Sequence, residues 1–173
     1  MFHAGDQIEN PVTGERLVFH ETSAETKGER VVFETIVQPG GFVAAAHLHP
    51  FQTERFEVLA GTVGMRHDKE KVELHAGDDE ARFVCTVTPA LQFERLIATM
   101  YSLAAAGKTN RKGMPNPLRL AVIANHHFDD VRLPLVPQAL QKLALALGAP
   151  AGRIAGYDAT FDPIPGQLAP SAA

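Results

Sequence analysis

A single cysteine, Cys85, stands in the 173 residues, so no internal disulfide and no paired-cysteine zinc site can form. Basic charge is also scarce: 16 Lys and Arg face 20 Asp and Glu, for a formal net charge of −4. A nucleic-acid partner would call for a clustered basic face, so none is expected. The opening ten residues hold acids and no apolar stretch, which reads against a secretory signal and for a reducing, cytoplasmic address. No apolar run is long enough to span a membrane, so no membrane partner is expected. There is no P-loop, no GxGxxG, no Ser-His-Asp order and no internal repeat.

What the chain does carry is a normal globular balance, 45% apolar and 21% charged, at the size of one domain. Its two parts differ in texture. Arg16–Glu21, Arg30–Val37, Glu54–Ala60, Thr62–His67, Lys71–Leu74 and Arg82–Thr88 are short runs rich in β-branched and aromatic residues, bounded by Gly, Asp or Pro. That spacing predicts an antiparallel sandwich or barrel, with Asp68-Lys69-Glu70 as a hairpin turn. Cys85 alternates with Phe83 and Val87 and so reads as a buried structural thiol, and Phe56, Val58 and Phe83 read as core. Arg66 either points inward toward an anionic ligand or outward opposite Glu73.

After Pro89 the apolar period lengthens to three and four residues. Leu91, Phe93, Leu96, Ile97, Met100 and Tyr101 predict a helix over Ala90–Ala106. Pro115-Asn116-Pro117 opens a second, near Leu118 to His126. A third starts at Pro137, carries Leu140, Leu143, Ala144 and Leu147 on one face and stops at Gly148, its apolar face packing on the sheet or on a second subunit. The tail from Pro163 is expected to be disordered.

The informative segment runs from Gly41 to Gly61. His47 and His49, two apart on an extended stretch, project to the same face. If the strand opened by Glu54 pairs back against them, its carboxylate approaches both rings. Two imidazoles and a carboxylate suit Fe, Mn, Ni, Co or Zn and leave coordination positions open. A His-x-His pair on a strand can equally be a solvated or locally hydrogen-bonded feature.

Gly41, five residues, His47-x-His49, four residues, Glu54, six residues, Gly61 resembles the first motif of the cupin superfamily at every position. Ile8–Arg16, Lys108-Thr109-Asn110 and Gly113–Pro117 further resemble a bacterial group of single-domain cupins with a C-terminal helical extension. The resemblance implies a mainly β fold, an antiparallel jelly-roll barrel over residues 1–89, a helical extension over 90–162 that packs on the barrel or on a partner, and a tail over 163–173. It also implies a divalent metal held by His47, His49 and Glu54.

The second cupin motif, whose histidine is usually the fourth metal ligand, is missing. Ala76-Gly77-Asp78 resembles its start, but the chain passes through Asp79-Glu80 straight into Ala81–Val87, short of one hairpin of about 15–20 residues. A smaller sheet must then close with fewer strands or leave an edge open. His75 is the candidate substitute ligand. His67 has a weaker placement, His126-His127 reads as a helix C-terminal pair favoured by the dipole, and His3 and His20 have no spacing argument. Three functions follow: a metal-dependent enzyme on a small molecule, oxygenase-like or isomerase-like; a non-catalytic metal- or ligand-binding cupin; or a homodimeric interaction module that has lost its metal.

Overall fold

The computed structural model describes residues 2–42, 47–62 and 79–162, and the backbone of Ala169–Pro170. Five strands come first: β1 Asp6–Asn10, β2 Glu15–Glu21, β3 Val31–Val37, β4 Thr53–Ala60 and β5 Ala81–Thr88. Three helices follow, α1 Phe93–Ala105, α2 Pro117–His126 and α3 Gln138–Ile154, and then a short strand, β6 Ala169–Pro170. The sheet is antiparallel, in the order β4-β5-β3-β2-β1-β6.

Alternation sets its two faces. Ala81, Phe83, Cys85 and Val87 of β5 are buried and pair with Val37, Thr35, Phe33 and Val31 of β3, all on one inner face. Leu17, Phe19 and Ile8 continue that face across β2 and β1, each about 1% exposed. Burying each such side chain is worth roughly 1.5–3 kcal/mol, which fixes the register, because a one-residue slip would expose the whole set. Helix α1 covers this face with Phe93, Ala98 and Tyr101. Its opposite side, Leu96 and Leu103, packs on Ile123 of α2. The molecule is thus layered as sheet, α1, then α2 with α3.

The β-then-helix architecture matches the expectation from sequence. Among the described residues the sheet is open, with no pairing that joins β4 to β6; closure into a barrel is not seen there. The strands expected at Thr62–His67 (beyond Thr62) and Lys71–Leu74, their turn, Arg66, His67 and His75 lie outside the described residues. What flanks them is informative. β4 pairs directly with β5, and Gly61, at φ +73°, sits where a Cβ would lie 2.6 Å from the Glu80 carbonyl oxygen. Any side chain at Gly61 would collide with backbone as well as strain the turn.

Other expectations need correction. Strand β1 was not foreseen, because Asp6–Asn10 places only Ile8 and Asn10 inward and offers too little apolar pattern to read. Ala169–Pro170, within the tail expected to be disordered, pairs with Gln7 and Asp6 at the edge of β1, an edge strand being where proline is tolerated. Helix α1 starts at Phe93 and not Ala90: Leu91 takes φ +44° and is 44% exposed, so the left-handed turn precedes the helix. Val58 is exposed, lying on the outermost described strand.

Helix α3 does not stop at Gly148; it runs through Pro150 to Ile154. Gly148 and Gly152 serve close approach to α2: a Cβ on Gly152 would meet the Leu118 carbonyl oxygen and Val122 Cγ2 at 2.5 Å. The buried face of α3 is Gln141, Ala149 and Gly152, whereas the predicted packing face, Leu140, Leu143 and Leu147, is exposed. Gln141 turns inward because its amide bonds three backbone groups of the preceding loop, at Leu133 and Val136. No helix among the described residues is long and apolar enough to cross a membrane.

Candidate metal centre

Strand register places Glu54 on the inner face, opposite Val87, with Phe56 next along it opposite Cys85. The two histidines arrive differently from expectation. The His47-Leu48-His49 segment does not pair with β4. Leu48 bridges Arg132, in the turn after α2, through backbone bonds of 3.0 and 2.9 Å. Pro50 follows at once and has no N–H to extend a ladder toward β4. The turn at Pro50 still brings the rings to the carboxylate. Donor atoms of His47, His49 and Glu54 all lie within 4.8 Å of one another. The two rings stand edge to face, centroids 4.8 Å apart at 83°.

His49 is the fixed member, its side chain only 7% exposed. Its Nδ1 faces two acceptors, the Asp130 carbonyl oxygen at 2.7 Å and Gln52 Oε1 at 3.0 Å. The Gln52 amide cannot be turned round, since its Nε2 donates to the carbonyls of Pro89 and Ala90, each at 3.0 Å. Nδ1 therefore carries a proton, and Nε2 is the ring nitrogen that faces Glu54. That Nε2 is buried, lacks a hydrogen-bond partner and lies 3.4 Å from Glu54 Oε1. A ring nitrogen and a carboxylate oxygen this close are bridged either by a proton, as an ion pair, or by a cation. Neutral imidazole and carboxylate are also the donors a divalent transition metal takes, so the residues fit such an ion.

The surroundings are firm on one side. Phe93 stacks on Phe33, centroids 5.6 Å apart, and stands 5.8 Å from the His49 ring. The Arg132 guanidinium lies over the rings of Phe51, at 5.4 Å, and Phe128, at 4.5 Å, pinning the turn after His49. Cys85 is buried, and burial together with the charge of Glu54 pushes its thiol well up. A buried, protonated thiol agrees with a structural role.

His126 and His127 do end α2, but His127 is more than a dipole partner. It is fully buried, and its Nδ1 bonds Asp130 Oδ2 at 3.0 Å. His20 stands 3.7 Å from Glu34, and His3 3.7 Å from Asp6; neither belongs to the cluster. Gln52 and Asp130 escaped the sequence reading, and His127 was read only as a helix end. His127-x-x-Asp130 is the only local signal, and nothing in spacing ties it to His49, 81 residues away from Asp130. Glu15 was also missed: it is 5% exposed beside Tyr101, and burial pushes its carboxyl up to about 7.

No protein-family model and no curated protein matches the chain. Solved structures that resemble it include a recombinant oxalate oxidase in complex with glycolate, at 18% identity over 81% of this chain and 74% of that one, with a TM-score of 0.36. An oxalate oxidase in complex with the substrate analogue glycolate gives 17% identity over 80% of this chain and 74% of the other, with a TM-score of 0.35. A likeness this distant carries no argument about the site.

Proposed function

We propose that the chain is a cupin-type protein that binds one divalent transition metal (Fe, Mn, Ni, Co or Zn) through His47, His49 and Glu54 and acts on a small molecule. The observation that carries the reading is the convergence of the His47, His49 and Glu54 donor atoms within 4.8 Å of one another, with the buried Nε2 of His49 3.4 Å from Glu54 Oε1. When bound, such an ion supplies Lewis-acid or redox chemistry to a ligand in its open positions. The chain's own part is to hold His49 in one tautomer, to keep the Phe93 side of the cluster dry and to present Glu54 from a paired strand. His47 is exposed, so the site opens to solvent on its side. Oxygenase-like and isomerase-like chemistry both remain within this proposal.

Metal analysis of the protein purified without added metal tests it. About one equivalent of a transition metal, lost in His47→Ala, supports the reading. A metal-free protein whose thermal stability ignores both chelator and added metal contradicts it. Oxygen consumption with candidate substrates then separates an oxygenase from a binder. The competing reading, a homodimeric module without metal, has the exposed α3 residues Leu140, Leu143 and Leu147 in its favour. Sedimentation of a metal-free dimer that Leu143→Lys turns into monomers supports that alternative, and a metal-loaded monomer removes it.

A further inference from the structure

The residue that orients the candidate site comes from outside the sheet. Asp130 is 3% exposed and has all three of its oxygens engaged. Its Oδ1 accepts from the Gln92 N–H at 2.9 Å, at the start of α1; its Oδ2 accepts from His127 Nδ1 at 3.0 Å; its main-chain oxygen accepts from His49 Nδ1 at 2.7 Å. A carboxylate at a helix start, bonded to an unsatisfied N–H, is held by both the bond and the helix dipole. The turn that carries it is tied again by the Leu48–Arg132 bridge and by Arg132 over Phe51. The helical extension thus reaches back 81 residues to grip the histidine loop.

From this geometry we infer that Asp130, anchored by His127 and Gln92, is a positioning residue that sets the tautomer and aim of His49. The inference rests on the metal reading proposed above. It gives the helical extension a role in the site: a carbonyl fixed by two carboxylate bonds, nearer to the ring than Gln52 Oε1 is, holds the His49 proton on Nδ1 and turns Nε2 toward Glu54. Outer partners of this kind alter metal affinity by about 10–100-fold when removed.

The test uses the full chain and Co²⁺ as probe, followed by its visible absorption, with ring ¹H–¹⁵N NMR of the metal-free protein at pH 8 as a second readout. Wild type is expected to bind Co²⁺ and to show His49 protonated on Nδ1 before metal is added. Asp130→Ala is expected to bind about 10–100-fold more weakly, with a changed spectrum and a His49 ring shifted toward the Nε2–H form. Arg119→Ala removes a guanidinium 4.6 Å from the Tyr157 ring elsewhere in the extension and is expected to leave affinity and tautomer alone. If Asp130→Ala does not fold, Asp130→Asn keeps an acceptor for Gln92 but loses the charge facing His127, and a smaller shift in the same direction is expected. Wild type that binds Co²⁺ while a folded Asp130 variant keeps its affinity, spectrum and tautomer overturns the inference and leaves the metal reading standing. Wild type that shows Nε2–H on His49 also overturns it. Wild type that binds no Co²⁺ brings down the metal reading, and the inference with it.

Discussion

Two carboxylates lie on the inner face of the same sheet and have opposite surroundings. Glu54, on β4, shares a level with Val31 of β3 through Val87, whereas Glu15, on β2, faces Val37 at the far end of β3. Glu54 keeps 21% of its side chain exposed and faces two imidazoles. Glu15 is 5% exposed and faces the hydroxyl of Tyr101. Burial wins at Glu15 and favours its neutral acid, a good hydrogen-bonding core group and a poor cation ligand. At Glu54 the neighbours are two imidazoles, so the same side chain becomes one of three candidate ligands. Identity of residue and of sheet face does not make a site; the neighbours that the next element delivers do.

The widest contrast between the two ends should come from Phe93→Ala. Phe93 is 6% exposed and lies between Phe33 and His49, so its removal should cost about 3–5 kcal/mol in denaturant unfolding. It should also loosen His49 while the Glu15 end keeps its pH response; an unchanged midpoint would break the contrast.

Glu15 makes stability depend on pH in a defined window. The folded state holds its proton more tightly than the unfolded chain, about 7 against 4.5. Its contribution is therefore whole below about pH 4.5 and lost as pH rises through about 7, a loss on the order of 3 kcal/mol. Unfolding measured from pH 4.5 to 8 should show this fall in wild type and a flatter profile in Glu15→Gln. Parallel profiles in the two proteins would remove the distinction drawn between the carboxylates.

A smaller effect marks the helical layer. Asn116 accepts the Leu118 N–H at 2.9 Å as the cap of α2, so Asn116→Ala should cost about 1 kcal/mol with no change in the pH profile. A changed profile would mean that the α2 layer reaches the Glu15 end after all.

Much of this was legible in the chain. The β-branched and aromatic runs Arg30–Val37 and Arg82–Thr88 announced two inner strands, each of which pairs with a strand on both sides. The Gly41–Gly61 spacing announced the three candidate ligands, and the structure brings them together. What stayed hidden depends on distant partners. Spacing could tell that His47 and His49 share a face but not that Arg132 and Asp130 would hold their backbone and ring. Leu140, Leu143 and Leu147 have the period of a packing face, yet close helix approach at Gly152 turns the other side of α3 inward. Nothing in the sequence singled out Glu15, since its partner Tyr101 stands on a helix 86 positions later in number.

The contrast between the two carboxylates is tested most directly by one Co²⁺ titration of three proteins: wild type, Glu54→Gln and Glu15→Gln. Wild type and Glu15→Gln should each take up one equivalent with the same affinity, and Glu54→Gln should bind weaker by roughly 100-fold or more. Equal binding by wild type and Glu54→Gln, or none by any of the three, would contradict the assignment of His47, His49 and Glu54 as a metal centre.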